Sequence, residues 1–338
     1  MLKRKIGKTG LEASAVSFGG IPIQRSDAEN TRQVVDALLE CGVNYIDTAR
    51  GYTVSEGFLG EALVGRRDKF ILATKSMARS YEAMKKDIEI SMENLKTDYI
   101  DIYQIHNLPL GDFDTVFGEN GAYKALSEAK EAGKIGHIGA TAHSVDSLKK
   151  LTEEYSDKIE TLMFPFNIIE NQGEDILSDA RKKGIATIAM KPLAGGNIED
   201  ADLAIRYILS KECIDIVIPG MGSSEEVRKD TAPCQRDISF TSQDEKKADE
   251  IREKLGTTFC RRCGYCAPCT VGINIPSNFL FDNYYNHYEG LAQWAKARYE
   301  ALDKHAGDCI ECGACESRCP YNLPIRDMLK KVAADFGK

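Results

Sequence analysis

Apolar runs of strand length alternate along the chain with longer stretches in which apolar residues recur every three or four positions. The runs fall at 16–20, 44–49, 70–75, 100–106, 135–141, 161–167, 185–192 and 215–220, and the amphipathic stretches include 28–41, 81–95, 122–132, 145–155, 174–183 and 198–210. A short continuous apolar run suits a strand buried on both faces, and three-to-four spacing suits a helix with one apolar side. Strand and helix in alternation, joined by right-handed crossovers, build a parallel sheet, and eight repeats close it as a (β/α)8 TIM barrel of class α/β. A doubly wound open sheet is the alternative, disfavoured because no G-x-G-x-x-G follows the first strand. Residues 1–15 read as a hairpin, LKRKIG and LEASA about a KTG turn, and 241–255 as a polar helix capped by Thr241 or Ser242. The predicted division is a barrel over 1–256 and a smaller module over 257–338.

Three of the apolar runs end on residues that can do chemistry. In NYIDTARGY, 44–52, the run stops at Asp47 and Tyr52 lies five residues on; FILATK delivers Lys75 and IDIYQIH delivers His106. If these strands are neighbours in one parallel sheet, the four groups meet at its carboxyl edge, where barrels carry their sites. A free tyrosine titrates at about 10 and exchanges protons poorly at neutral pH, but a lysine ammonium beside it stabilises the phenolate. Moving that titration by roughly two to three pH units needs about 3–4 kcal/mol, which a desolvated ammonium held by a carboxylate can supply. Tyr52 is then the general acid, Lys75 its tuner, Asp47 the anchor of Lys75 and His106 a donor that orients a carbonyl oxygen. Singly, a strand-end Asp is most often a cap or ion-pair partner, a Lys a solvated charge and a His a structural hydrogen-bonder. It is the four in order, at strand ends, that point to a site.

IDTARGY with Tyr52, ATK with Lys75 and YQIHN with His106 resemble the aldo-keto reductases, and every member of that family's catalytic tetrad has a matching residue here. The resemblance runs from the opening KIGKTGLEASAVSFGG to about Gly256. It implies a hairpin that closes the bottom of the barrel and NAD(P)H-dependent reduction of an aldehyde or ketone, or oxidation of the alcohol. Two glycine-rich loops, KPLAGG at 191–196 and PGMGSSEE at 219–226, follow the last two strands, and Ser223 and Ser224 open a helix. Barrels place phosphates at such loops, where free helix amides suit an anion. The resemblance implies that NADP(H) or NAD(H) binds there, through Thr141, Asn167, Lys191, Pro192, Leu193, Gly195, Gly220, Met221, Ser223, Ser224 and Glu226. Members that prefer NADPH usually clamp its 2'-phosphate with a basic residue after IPG, and Glu226 stands about where an arginine is common. Arg228 and Lys229 can substitute, which tilts the expectation slightly toward NADPH. GATAHS, 139–144, stands where many members have a Ser-Asn pair and Met163 where they often carry glutamine, which leaves Thr141 and Asn167 as partners of the carboxamide.

Length agrees with this plan, since 338 residues suit a barrel of about 250 plus a small module. No apolar run approaches the ~20 residues that span a bilayer, and MLKRKIGKTG has no apolar core of a signal peptide behind it, so a cytoplasmic protein without membrane contact is expected. The net charge of −8 argues against a nucleic-acid partner. From Thr257 onward ten Lys and Arg face nine Asp and Glu, +1, which leaves −9 on the preceding part. The acidity sits on the barrel and serves solubility.

Of 11 cysteines, eight lie after residue 259 in two runs: Cys260, Cys263, Cys266 and Cys269, then Cys309, Cys312, Cys315 and Cys319. The second run, CIECGACESRCP, has the bacterial ferredoxin spacing C-x-x-C-x-x-C-x-x-x-C-P, specific for a [4Fe-4S] cluster. A disulfide framework is disfavoured in the cytoplasm, and zinc needs no third cysteine at such spacing. In two-cluster ferredoxins the fourth cysteine of each run serves the other cluster. That rule puts Cys260, Cys263, Cys266 and Cys319 on one cluster and Cys309, Cys312, Cys315 and Cys269 on the other. The first run departs from the pattern, with two residues before Cys269 and Thr270 in place of proline, so uncrossed ligation stays open. The resemblance narrows to aldo-keto reductases that carry a ferredoxin-like tail. Between the runs, Phe279, Phe281, Tyr284, Tyr285, Tyr288 and Trp294 read as the core of a helical insert that packs the clusters onto the barrel. Cys41, Cys213 and Cys234 remain as thiols without an assigned role.

A nicotinamide moves a hydride, whereas a [4Fe-4S] centre moves one electron. The leading reading is a carbonyl reductase with a small carbonyl or alcohol substrate, whose clusters are structural or dock a redox protein. Its rival is an electron-transfer protein in which the clusters exchange electrons with a flavin, a barrel-bound acceptor or a ferredoxin-like partner. A cluster scaffold without catalysis has no use for the tetrad.

Overall fold

A computed structural model describes residues 1–338 except Asp237, Glu289 and Lys338. The chain divides into two compact units: Met1–Asn167, Asn171–Pro192 and Asp200–Phe240 form the first, and Ile168–Glu170, Leu193–Glu199 and Thr241–Lys338 the second.

The first unit opens with a hairpin, β1 (Lys3–Lys5) against β2 (Glu12–Ser14), antiparallel. Eight parallel strands follow: β3 (Phe18–Gly19), β4 (Tyr45–Asp47), β5 (Ile71–Ser76), β6 (Ile100–Ile105), β7 (Ile135–Thr141), β8 (Thr161–Pro165), β9 (Ala186–Met190) and β10 (Ile216–Ile218). Each pairs with its neighbour in sequence, as right-handed crossovers require. Parallel bridges Val16 to Val217 and Gly19 to Gly220 join the two ends of the sheet into a barrel. The chain is tight on both sides of β3: a Cβ on Gly19 would lie 2.7 Å from the Pro219 carbonyl oxygen across the seam, and one on Gly20 2.7 Å from that of Asp47 at the end of β4. Only glycine lets these backbones approach so closely.

Ile6 and Ala13 of the hairpin share one buried cluster with Tyr45, Ile71, Ile102, Met163, Ala186, Ile188 and Ile216 of the strands, so the hairpin fills one end of the barrel core. Seven of the eight apolar runs contain their strands, β5 extends one residue beyond its run to Ser76, and β8, β9 and β10 stop earlier than their runs. Phe166, Asn167, Lys191, Pro192, Pro219 and Gly220 thus fall in the loops that leave the strands. Helices Ser55–Ala62 and Phe113–Phe117 are short and weakly amphipathic, and periodicity did not reveal them.

The second unit contains helices Ser242–Leu255, Ile275–His287, Ala292–Glu300 and Ile325–Phe336. Thr241 is the cap of the first: its Oγ1 accepts the Asp244 N–H at 3.3 Å while Asp244 Oδ2 accepts the Thr241 N–H at 2.9 Å. The core gathers Ile273, Ile275, Phe279, Tyr299, Leu323, Ile325, Leu329, Val332 and Phe336, with Tyr299 stacked on Phe336 at 4.0 Å between ring centroids. Trp294 meets Phe281 and Tyr284 edge-on.

The unit carries an internal repeat. Arg262 and Gly264 in the first cysteine run have positive φ, as do Glu311 and Gly313 at the same places in the second. Gly272 after Cys269 and Asn322 after Cys319 both have positive φ as well, and their N–H groups donate to the Cys269 and Cys319 carbonyls at 3.1 and 3.2 Å. A helix begins three residues later each time, at Ile275 and Ile325. Among the described residues no helix is long and apolar enough to cross a membrane.

Candidate functional site

Asp47 ends β4, Lys75 is the penultimate residue of β5, and His106 directly follows β6. These three strands are adjacent, so all three residues emerge at the carboxyl edge of the barrel. Tyr52 returns from the loop after β4 through a turn in which Thr53 has φ 44°.

Lys75 and Asp47 form an ion pair, each 2% exposed. Lys75 Nζ also donates to the Thr48 carbonyl at 2.9 Å, and Gln104 Nε2 donates to Asp47 Oδ1 at 3.0 Å. Gln104 lies beside Lys75 in the strand register. Nζ sits 4.9 Å from the centroid of the Tyr52 ring and hydrogen-bonds that residue. The Tyr52 and His106 rings meet edge-on at 6.0 Å. The structure therefore brings Asp47, Tyr52, Lys75 and His106 together.

The electrostatics follow from burial. Desolvation pushes the Asp47 carboxyl up, against the pull of Lys75 and Gln104. Desolvation also opposes the Lys75 ammonium, but Asp47 and Tyr52 outweigh it and hold the lysine above its ordinary value. His106 is pushed down to about 3, by burial first and then by the charges of Lys75, Arg79 and Lys191. It is a neutral imidazole at physiological pH, and its Nδ1 is buried without a hydrogen-bond partner.

Two supporting groups were missed by sequence reasoning. Gln104 is a polar residue inside an apolar strand, and nothing local marks it as a ligand of Asp47. Arg79 donates from Nη2 to the carbonyls of His106 and Asn107 at 3.0 and 2.8 Å and from Nε to Asp112 at 2.7 Å. It ties down the turn after His106, where Asn107 has φ 47°. A buried cluster also stands behind the loop: Glu56 accepts from Arg50 at 2.5 Å and from Thr74 and Ser91 at 2.8 Å.

The residues named for the cofactor divide among several roles. Thr141 Oγ1 accepts the Asn107 N–H at 2.7 Å, so this hydroxyl braces the His106 loop. Asn167 is buried and donates to the Lys191 carbonyl at 3.0 Å; Lys191, with φ 58°, leads into Pro192. Leu193 and Gly195 belong to the second unit, where Asn283 donates to the Gly195 carbonyl at 2.9 Å. Gly220 is in the barrel seam and Met221 is buried. Ser223 caps helix Ser224–Thr231 by accepting the Glu226 N–H at 3.2 Å, and Glu226 Oε2 folds back to accept the Gly222 N–H at 2.5 Å. Arg228 donates to Glu40 at 2.8 Å.

The cysteine runs enclose two cavities. Cys260, Cys263, Cys266 and Cys319 line one of about 310 Å3 together with Ile275, Phe279 and Tyr321. Cys269, Cys309, Cys312 and Cys315 line another of about 330 Å3 with Val271, Ile275 and Leu329. In each, the fourth cysteine comes from the other run. Among the described residues no group of three or more His, Cys, Asp or Glu side chains is arranged to hold a single metal ion. Cys213 and Cys234 are buried, with thiols pushed up by desolvation, and Cys41 is partly buried.

Residues 15–202 match the Aldo/keto reductase family, and residues 259–324 match a 4Fe-4S dicluster domain. The chain is similar to L-galactose dehydrogenase of Arabidopsis thaliana, 26% identical over 304 residues, which covers 75% of this chain and 93% of that protein. It is 29% identical over 229 residues to the NADH-specific methylglyoxal reductase of Escherichia coli, covering 58% of this chain and 68% of that one. Among solved structures, a holo aldo-keto reductase from Bacillus halodurans superposes with a TM-score of 0.64 at 24% identity, over 74% of this chain and 96% of that chain. The last is a likeness of fold.

Proposed function

The chain belongs to the aldo/keto reductase family, and on that premise we propose that it is an NAD(P)H-dependent reductase of a small aldehyde or ketone that also runs the reverse oxidation. The observation that carries this reading is the buried Lys75–Asp47 pair set against Tyr52, with a neutral His106 beside it.

Asp47, fixed by Gln104, holds Lys75 as an ammonium. Lys75 in turn stabilises the phenolate that Tyr52 becomes when it gives its proton to the carbonyl oxygen. His106 cannot compete as an acid when its imidazole is neutral, so its part is to donate a hydrogen bond that orients that oxygen. When bound, the nicotinamide supplies the hydride.

The donors available for such a cofactor fit it. Of the first turn of helix Ser224–Thr231, Ser223 occupies only the N–H of Glu226, which leaves amides for an anionic or hydroxyl group. The Glu226 carboxylate at this helix end disfavours a 2'-phosphate and suits a ribose hydroxyl as donor. Arg228, engaged with Glu40, is not free to offset it. We therefore move the expectation from NADPH to NADH, in line with the NADH-specific name of the Escherichia coli relative.

The cysteine cavities fit two [4Fe-4S] clusters: the first held by Cys260, Cys263, Cys266 and Cys319, the second by Cys269, Cys309, Cys312 and Cys315. An anaerobic assay of the iron-loaded protein with NADH, then NADPH, over a panel of aldehydes tests the reductase. Iron and sulfide analysis tests the clusters, with about eight irons per chain expected. No aldehyde-dependent oxidation of either nicotinamide would overturn the reading.

A further inference from the structure

The two cysteine cavities are built on the same backbone but are electrically unequal. Each has an equivalent N–H to sulfur bond, Arg262 to Cys260 and Glu311 to Cys309, both 3.4 Å. The second site has one bond more, between Thr270 Oγ1 and Cys312 Sγ at 3.3 Å, which favours its reduction, so any higher potential of the first site must come from charge.

Each cavity is lined by one guanidinium, Arg261 in the first and Arg326 in the second. Arg326 is neutralised by Glu316, with Nε and Nη2 at 2.9 and 2.8 Å from Oε2. Arg261 lies over the Tyr321 ring at 4.0 Å and donates to the carbonyls of Ile169 and Gly256 at 3.3 and 3.2 Å. No carboxylate pairs with it among the described residues. Exposure differs at the same positions of the repeat. Arg261 is half-buried, whereas its counterpart Ile310 is 59% exposed and Cys312 is exposed.

Reduction adds one negative charge to a cluster, so an unneutralised cation in its wall favours the reduced state, and more so where water is excluded. Water around Cys312 also stabilises added negative charge on the second centre, so a higher potential at the first requires the attraction of Arg261 to outweigh that solvation. We propose that electrons enter this unit through the exposed centre ringed by Cys269, Cys309, Cys312 and Cys315 and come to rest on the centre ringed by Cys260, Cys263, Cys266 and Cys319, which Arg261 holds at the higher potential. A low-potential one-electron carrier is oxidised by one electron, the exposed centre is reduced by one and passes it on, and no bond or proton moves. The inference rests on reading both cavities as [4Fe-4S] sites, which iron analysis checks separately.

The experiment is a dithionite titration of the full iron-loaded chain, followed by electron paramagnetic resonance. Two one-electron steps are expected. Arg261→Gln should lower the upper step by at least tenfold in the ratio of reduced to oxidised centre, about 59 mV for a one-electron couple, and Arg261→Lys should restore most of it. Glu316→Gln, which frees Arg326 of its counter-charge, should raise the lower step. A water-soluble paramagnetic relaxation agent should act more strongly on the centre reduced second. Coincident steps, an unmoved upper step in a fully loaded Arg261→Gln, or stronger relaxation of the centre reduced first would overturn the proposal. If Arg261→Gln fails to load, the Glu316→Gln shift and the relaxation measurement decide it.

Discussion

Replacing Lys75 by methionine removes one half of an ion pair that is 2% exposed and leaves Asp47 with the Gln104 hydrogen bond alone. Breaking a buried pair from one side costs about 3–5 kcal/mol, because the remaining charge has no compensation. Asp47, already pushed up by burial, then has its largest opposing influence removed. Its folded value rises further above its unfolded one, so Lys75→Met should regain stability as pH falls and lose it as pH rises. Adding Asp47→Asn removes the stranded charge, and the double variant should recover most of the loss. Activity should not return with it. The ammonium proposed to stabilise the phenolate is gone, and the roughly 3–4 kcal/mol asked of it corresponds to about a hundred- to thousandfold in kcat. Urea unfolding of both variants at pH 6 and pH 8, beside steady-state kinetics, separates the two effects. A Lys75→Met protein as stable as the wild type, or a double variant that regains turnover along with stability, would refute the reasoning.

The His106 imidazole titrates at about 3 when folded against about 6.5 unfolded, so stability present above pH 6.5 is lost as pH falls toward 3; between pH 6.5 and 5 the wild type should lose about 2 kcal/mol relative to His106→Gln, read as the difference in urea midpoints so that other groups cancel. Asp282 is pushed up to about 6 by burial and by a proton shared with Asp335, with Asn286 bridging the two carboxyls at 3.0 and 3.1 Å; this stability is lost as pH rises through 6, so Asp282→Asn should raise Tm at pH 8 and leave it near the wild-type value at pH 4, and a lower Tm at pH 8 would contradict the shared proton. Glu226→Arg should shift the ratio of kcat/KM for NADPH over NADH upward by about tenfold or more, since a charge pair some 4 Å apart near a surface is worth about 4 kcal/mol before screening; an unchanged ratio would remove Glu226 from cofactor choice.

The barrel was legible because buried parallel strands are continuous apolar runs and the helices between them keep a clean periodicity. The seam at Gly19 and Gly220 and the exact strand ends were not, since both depend on how the sheet closes on itself. The meeting of Asp47, Tyr52, Lys75 and His106 could be read from polar residues at the ends of adjacent strands. Gln104 and Arg79, which brace that meeting, act through contacts 57 and 27 to 33 positions apart, and no local pattern announces them. The bond from the Asn107 N–H to the Thr141 hydroxyl oxygen, 34 positions apart, is another contact that no local pattern announces. The cysteine spacing carried the crossed grouping of the cavities, even though the first run lacks the usual three-residue gap. The unequal surroundings of Arg261 and Arg326 depend on distant partners and could be seen only in three dimensions.

The proposed reduction depends on Tyr52 as its proton donor. The decisive measurement is aldehyde-dependent oxidation of NADH by wild-type and Tyr52→Phe proteins of equal iron content and equal visible absorbance, assayed anaerobically. Turnover by the wild type is expected, with a loss of at least a hundredfold in kcat for Tyr52→Phe and unchanged cluster absorbance in both. Retained turnover in Tyr52→Phe would contradict that role and would move the proton donor elsewhere.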